Sequence, residues 1–175
     1  DGNKTGAIKE RGVVHREGAL HATSHIWIAR KNEKSGYDIL LQKRSACKDS
    51  HPGCYDISSA GHIGAGDEAL EAALRELEEE LGIKAKPEEL LEFGVQYKNY
   101  EGEFYGRPFR DNQRSILYLY KEPINMDELV LQESEIESVI WMDYKEALEA
   151  IRENTMKHCI YEEEFLKVGK ALGIE

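Results

Sequence analysis

The stretch AGHIGAGDEALEAALRELEEELGI, residues 60–83, decides how the chain is read. Leu70, Leu74, Leu77 and Leu81 recur every three or four residues, which is the period of one apolar stripe on a helix. The helix is predicted to run from about Glu68 to Leu81. Asp67, following Gly66, is the expected N-cap, and Gly82 before Ile83 fits a left-handed stop with an apolar contact. Along one edge of the stripe, Glu76 and Glu80 stand a turn apart with Glu79 a little further round, so several carboxylates face one small volume. Like charges so placed cost roughly 0.2–0.5 kcal/mol per pair in an isolated helix. The edge is therefore either a solvated acidic face or a place that cations neutralise. Ala72 and Ala73, one turn earlier, add little bulk and are expected to leave room for a ligand to approach the backbone.

Outward from this helix the chain alternates strands and helices. Residues 21–30 and 37–44 are rich in Ile, Leu, Trp and Tyr and flank the polar turn Lys31-Asn32-Glu33-Lys34-Ser35-Gly36, which predicts a hairpin. Residues 55–62 read as a third strand, with further strands near 93–100, 115–120 and 138–142. Two helices are predicted to follow, over 145–153 and 162–172. The fold class is α/β, a mixed β-sheet flanked by helices.

A chain of 175 residues with 41% apolar content suits a single domain over residues 1–175. No apolar run approaches the roughly 18 residues that cross a bilayer, and the first residues are polar, so a cytoplasmic protein without membrane attachment is expected. The chain opens at Asp1 instead of methionine, so a few residues are expected to be missing there, and an address signal upstream stays open. Cys47, Cys54 and Cys159 form no paired metal spacing and are read as incidental thiols of a reducing compartment. A net charge of −11 and a pI near 5.1 argue against a nucleic acid polymer as partner. An acidic protein still binds phosphates when divalent cations stand between its carboxylates and the ligand.

Residues 60–83 resemble the Nudix box, G-x5-E-x7-R-E-U-x-E-E-x-G-U with U a bulky aliphatic residue. Gly61, Arg75, Glu76, Leu77, Glu79, Glu80, Gly82 and Ile83 match at fixed spacing; Asp67 alone departs, where the family has glutamate. The resemblance implies a Nudix α/β/α sandwich, a small-molecule diphosphate substrate, and Mg²⁺ or Mn²⁺ held by Glu76, Glu79, Glu80 and the backbone carbonyl of Ala60. It implies that Arg75 orients the glutamates, by a salt bridge to Glu79 one turn on. The carboxylate that takes a proton from the attacking water is Glu76 or one outside the box such as Glu135.

Together with VHREGALHATSHIWI and LLQKRSACKDSHPGCYDISSAGH, the box covers the first half of the chain and is similar to a Nudix subgroup related to isopentenyl-diphosphate isomerase. That likeness implies diphosphate contacts from Arg44 and Lys48, and histidines at or near His15, His21 and His62 that bind metal; His62 is also a candidate at the substrate. Two departures favour hydrolysis over isomerisation. The isomerase's catalytic cysteine falls at Ala60 and its catalytic glutamate at Gln113, neither of which titrates. A third alternative is a sensor that binds a nucleotide without turnover. Specificity is expected from loops over 99–111 and 154–161, where Tyr100, Phe104, Tyr105 and Tyr161 either stack a ligand or pack as core. A homodimer is compatible with the sequence.

Overall fold

The computed structural model describes residues 6–174. The leucine period forms helix α2 (Ala69–Leu81), with Leu77 and Leu81 fully buried and Leu70 and Leu74 packed against the same core. Gly82 takes φ +72° and its N–H reaches Glu78 O, while Ile83 N–H closes on Leu77 O at 3.1 Å.

Two local expectations fail at this helix. Asp67 is not the N-cap: that position is Glu68, and the Asp67 carboxylate accepts from Arg75 Nη1 at 2.9 Å. A charge-assisted bond to a guanidinium outcompetes the neutral backbone donors. Ala72 and Ala73 are wholly buried, so their small side chains admit the sheet and not a ligand.

Strands β1 (His21–Lys31) and β2 (Tyr37–Arg44) make the antiparallel hairpin, its turn held by Asn32 Oδ1, which accepts from the N–H groups of Lys34, Ser35 and Gly36. The segment read as one third strand is two. β3 (Tyr55–Asp56) pairs with β2, whereas β4 (Ser59–His62) pairs with β1. Ser58 makes the switch between neighbours, donating from Oγ to Leu40 O at 2.6 Å and accepting from Ile28 N–H at 2.8 Å. A side chain thus takes the place of a ladder bond.

β5 (Leu90–Phe104) and β6 (Arg107–Tyr120) form one long antiparallel hairpin that reverses at Tyr105 and Gly106, both with positive φ. Residues 99–111, read as a loop, are therefore strand and turn. β6 runs parallel to β1, and β7 (Ile136–Asp143) runs antiparallel to β2, so the sheet is mixed. A short helix not anticipated from the sequence, α1 (Arg11–Glu17), precedes β1; α3 (Tyr144–Arg152) and α4 (Glu162–Leu172) follow β7.

Alternation along the central strands sends neighbouring side chains to opposite faces. Trp27, Ile39 and Leu41 pack with Tyr144 and Ala147 of α3 and with Phe165 and Val168 of α4. Ile26, Ile28 and Leu40 pack with Ala73, Leu77 and Leu81 of α2. Burying each large aliphatic side chain contributes about 1.5–3 kcal/mol. The result is three layers, α/β/α. None of the described helices is long and apolar enough to cross a membrane.

Candidate active site

The end of β4 and the exposed edge of α2 meet at Gly61. A Cβ built there would lie 2.0 Å from the Glu76 carboxyl carbon, so glycine is what lets strand and carboxylate come this close. One helical turn on, Glu80 is buried, and its Oε2 accepts from Ser59 Oγ at 2.7 Å and from Ala60 N–H at 3.2 Å. Burial pushes the Glu80 carboxyl up to about 7 despite those two donors. Glu76 is also raised, first by burial and then by the neighbouring Glu79 charge. Uncompensated negative charge and a donor set made of oxygen fit a hard divalent cation such as Mg²⁺ or Mn²⁺. Arg75 reaches Asp67 and, at 4.0 Å, Glu76. Its expected partner Glu79 acts on it only through longer-range charge.

Glu76, Glu79, Glu80, Ala60 and Gly61 line a cavity of about 320 Å³, within the ~300–1,000 Å³ typical of small-molecule sites. The same cavity is lined by Arg44 and Lys48, on and just after β2. Arg44 Nη1 donates to Asp56 Oδ2 at 2.9 Å and Nη2 to Ser50 O at 2.9 Å, which fixes the guanidinium. Lys48 pairs with Glu135, and burial, followed by the Arg44 charge, lowers its ammonium to about 8.

His62, at the end of β4, lies with two other histidines and also lines the cavity. Its Nε2 is 3.2 Å from Nε2 of His15 on α1, and nitrogens of His15, His21 and His62 all fall within 4.8 Å of one another. His21 Nδ1 sits 3.0 Å from Ala19 O, and its Nε2 is buried without a hydrogen-bond partner, 3.5 Å from Asp111 Oδ1. Burial, then Arg11, pushes His62 down to about 3. Asp111 also meets Lys98 Nζ at 3.4 Å, and that ammonium sits over the Tyr161 ring.

Sequence reasoning missed Asp56, Lys98 and Asp111, all lining the cavity. Gln113 lines it too, paired in register with His21 across β6 and β1. Among the aromatic candidates, Tyr100 and Phe104 pack around His51 with ring centroids 5.0 and 4.7 Å away, Tyr161 lines the cavity, and Tyr105 sits exposed at the hairpin tip.

A profile of the NUDIX domain matches residues 20–162. The chain belongs to the Nudix family. Among its Nudix relatives, Nudix hydrolase 3 of Arabidopsis thaliana is 42% identical over 148 residues, covering 83% of this chain and 18% of the plant protein. An uncharacterised Nudix hydrolase of Clostridium acetobutylicum is 36% identical over 138 residues, 79% of this chain and 64% of that one. The chain thus spans less than two thirds of either relative's length. The Nudix fold recurs in the NUDIX domain of Shewanella oneidensis NrtR complexed with ADP ribose, with TM-score 0.65, 14% identity, and 98% and 94% of the two chains covered. A MutT protein from Methanosarcina mazei gives 0.64 at 16% identity, covering 91% and 99%. A C. elegans Ap4A hydrolase gives 0.55 at 20%, covering 87% and 98%.

Proposed function

We propose that this chain uses Mg²⁺ or Mn²⁺ to cleave the diphosphate linkage of a small organic diphosphate, a nucleoside diphosphate linked to X or a relative of one. The observation that carries the reading is that the carboxylates of Glu76, Glu79 and Glu80 line one cavity with the cations of Arg44 and Lys48. The relatives named for Ap4A hydrolysis and ADP-ribose binding support a nucleotide diphosphate.

In this reading Glu76, Glu79, Glu80 and the Ala60 carbonyl hold the cations, and Arg44, Lys48 and His62 face the substrate. Arg75 holds the helix edge through Asp67 and Glu76. A bound divalent ion supplies Lewis acidity towards phosphate oxygen and lowers the pKa of the attacking water. The water's proton goes to Glu76 or to Glu135, both of which line the cavity; Glu135→Gln separates them, because loss of turnover with metal affinity unchanged assigns the base to Glu135. The histidine corner, with nitrogen donors, suits a transition ion such as Mn²⁺ or Zn²⁺ better than Mg²⁺.

Isomerisation of a prenyl diphosphate needs two positioned acid–base groups. Ala60 and Gln113 both line the cavity and neither titrates. The deciding experiment is a panel of nucleoside diphosphates, nucleotide sugars, dinucleoside polyphosphates and prenyl diphosphates with Mg²⁺ and Mn²⁺, read by phosphate or monophosphate release. Isopentenyl diphosphate is followed by NMR in deuterated water. Deuterium uptake into carbon at an enzymatic rate overturns the hydrolase reading; ligand binding without any product makes the chain a sensor.

A further inference from the structure

Between β2 and β3 the chain runs through residues 45–54, and this loop supplies Lys48, Ser50 and His51 to the cavity wall. His51 takes φ +48°, a left-handed conformation uncommon outside glycine that persists only where neighbours impose it. On one side Arg44 donates from Nε and Nη2 to Ser50 O, at 3.2 and 2.9 Å, and on the other Cys54 N–H donates to His51 O at 3.3 Å. The backbone of His51 is thus tied to the guanidinium of the same site. Its ring packs on the hairpin arm of β5 and β6, with the Tyr100 centroid at 5.0 Å and the Phe104 centroid at 4.7 Å, the latter edge to face. Those two rings are not themselves part of the cavity wall.

The imidazole is unfavourably placed in a second way. Its Nε2 is buried and, among the described residues, has no hydrogen-bond partner, although buried polar groups are almost always paired. Both costs fall on one residue that lines a binding cavity, and a ligand that supplies the missing partner offsets them. We propose that His51 is a diphosphate-binding residue, a hydrogen-bond donor to a phosphate oxygen, and that Phe104 of the hairpin arm is the positioning residue that holds its ring. Burial, then the charges of Lys98 and Arg44, lowers the His51 ring to about 4, so at neutral pH it is uncharged and carries one N–H. Arg44 and Lys48 attract an anion through charge, which is long-ranged and tolerant of position. A neutral donor fixed by its backbone and by two rings adds a demand for an oxygen in one place.

The inference rests on the diphosphate-hydrolase reading and is tested by binding as well as by turnover. The probe is methylenediphosphonate, an unhydrolysable diphosphate, titrated calorimetrically into the full chain with Mg²⁺ present. His51→Phe keeps a ring against Tyr100 and Phe104 and removes both nitrogens. Its Kd for the probe, and its KM for a hydrolysed member of the panel, should each rise on the order of tenfold, with kcat and Mn²⁺ affinity within about twofold of the wild type. His51→Asn tolerates a left-handed backbone and donates from its amide, so it should recover most of that loss.

Phe104→Ala should raise the same two constants in the wild type and add nothing in the His51→Phe background, a non-additivity that a general loosening of the fold does not produce. Equal probe affinity in the wild type and His51→Phe overturns the proposal, as does a Phe104→Ala effect that persists in full without the histidine. A wild type that binds the probe and hydrolyses no member of the panel sinks the hydrolase reading alone, and the Kd comparison still decides the role of His51. A wild type that neither binds nor hydrolyses sinks both.

Discussion

The Asp67 carboxylate and the Arg75 guanidinium meet at 2.9 Å beside the start of α2, and both side chains are more than a third exposed, 37% and 42%. Exposed ion pairs contribute little to stability and are screened by salt. Asp67→Ala should therefore lower stability by less than about 1 kcal/mol in denaturant unfolding, and the difference should vanish near 1 M salt, roughly. A penalty that survives salt would return Asp67 to the role of helix cap.

Gly61→Ala tests how closely strand and carboxylate are matched. The atoms nearest the added methyl are Cδ, Cγ and Oε1 of the flexible Glu76 side chain and not backbone, so the fold should persist with its circular dichroism unchanged. Glu76 must swing away, and kcat should fall by about tenfold to a hundredfold with weaker Mn²⁺ binding by calorimetry. Unchanged metal affinity counts against Glu76 as a ligand.

Glu80→Gln keeps the shape of the buried side chain and removes its charge. Turnover should drop on the order of a hundredfold or more. The stability of the metal-free protein carries a second signature. Glu80 titrates near 7 in the fold against 4.5 ordinarily, so between those values the folded chain holds a proton that the unfolded chain has lost. Stability must fall as pH rises through that window. The melting temperature of the metal-free wild type should decline from pH 4.5 to 7 relative to Glu80→Gln, and millimolar Mg²⁺ should restore it. Parallel curves for the two proteins refute the assignment.

Leu77 is fully exposed to the core and not to water, at 0% accessibility. Leu77→Ala should cost about 2–5 kcal/mol in chemical denaturation. A cost under about 1 kcal/mol would mean that α2 can repack without the stripe.

The acidic half of the site was legible because it is local: one helix, one glycine loop, and a fixed spacing from Gly61 to Ile83. The basic half was legible only through resemblance. Arg44 depends on Asp56, and Lys98 and His21 both depend on Asp111, pairings set by which strands lie side by side and not by any period along the chain. The hairpin arm over 99–111 was read as loop because its one buried side chain is the polar Asp111 and the rest is half-buried or exposed, so no apolar alternation announces it. Helix α1 is seven residues long, buries only Val14, and has no side-chain cap, so it left no signal in the sequence although it carries His15.

The parallel pairing of β1 with β6 brings His21 beside Gln113, and α4 brings Glu164 back to within 2.9 Å of His25 and 2.8 Å of Trp27. During synthesis the N-terminal part of the chain emerges first and waits for the rest. The glutamate-bearing helix and its glycine loop can form early from neighbouring residues. The wall that would hold the substrate cannot, because its parts are joined by contacts of high sequence separation, which close slowly. A ribosome-bound chain ending near residue 110 would thus present the glutamates without the neighbours that complete the pocket, and the order of synthesis delays substrate capture until α4 has docked.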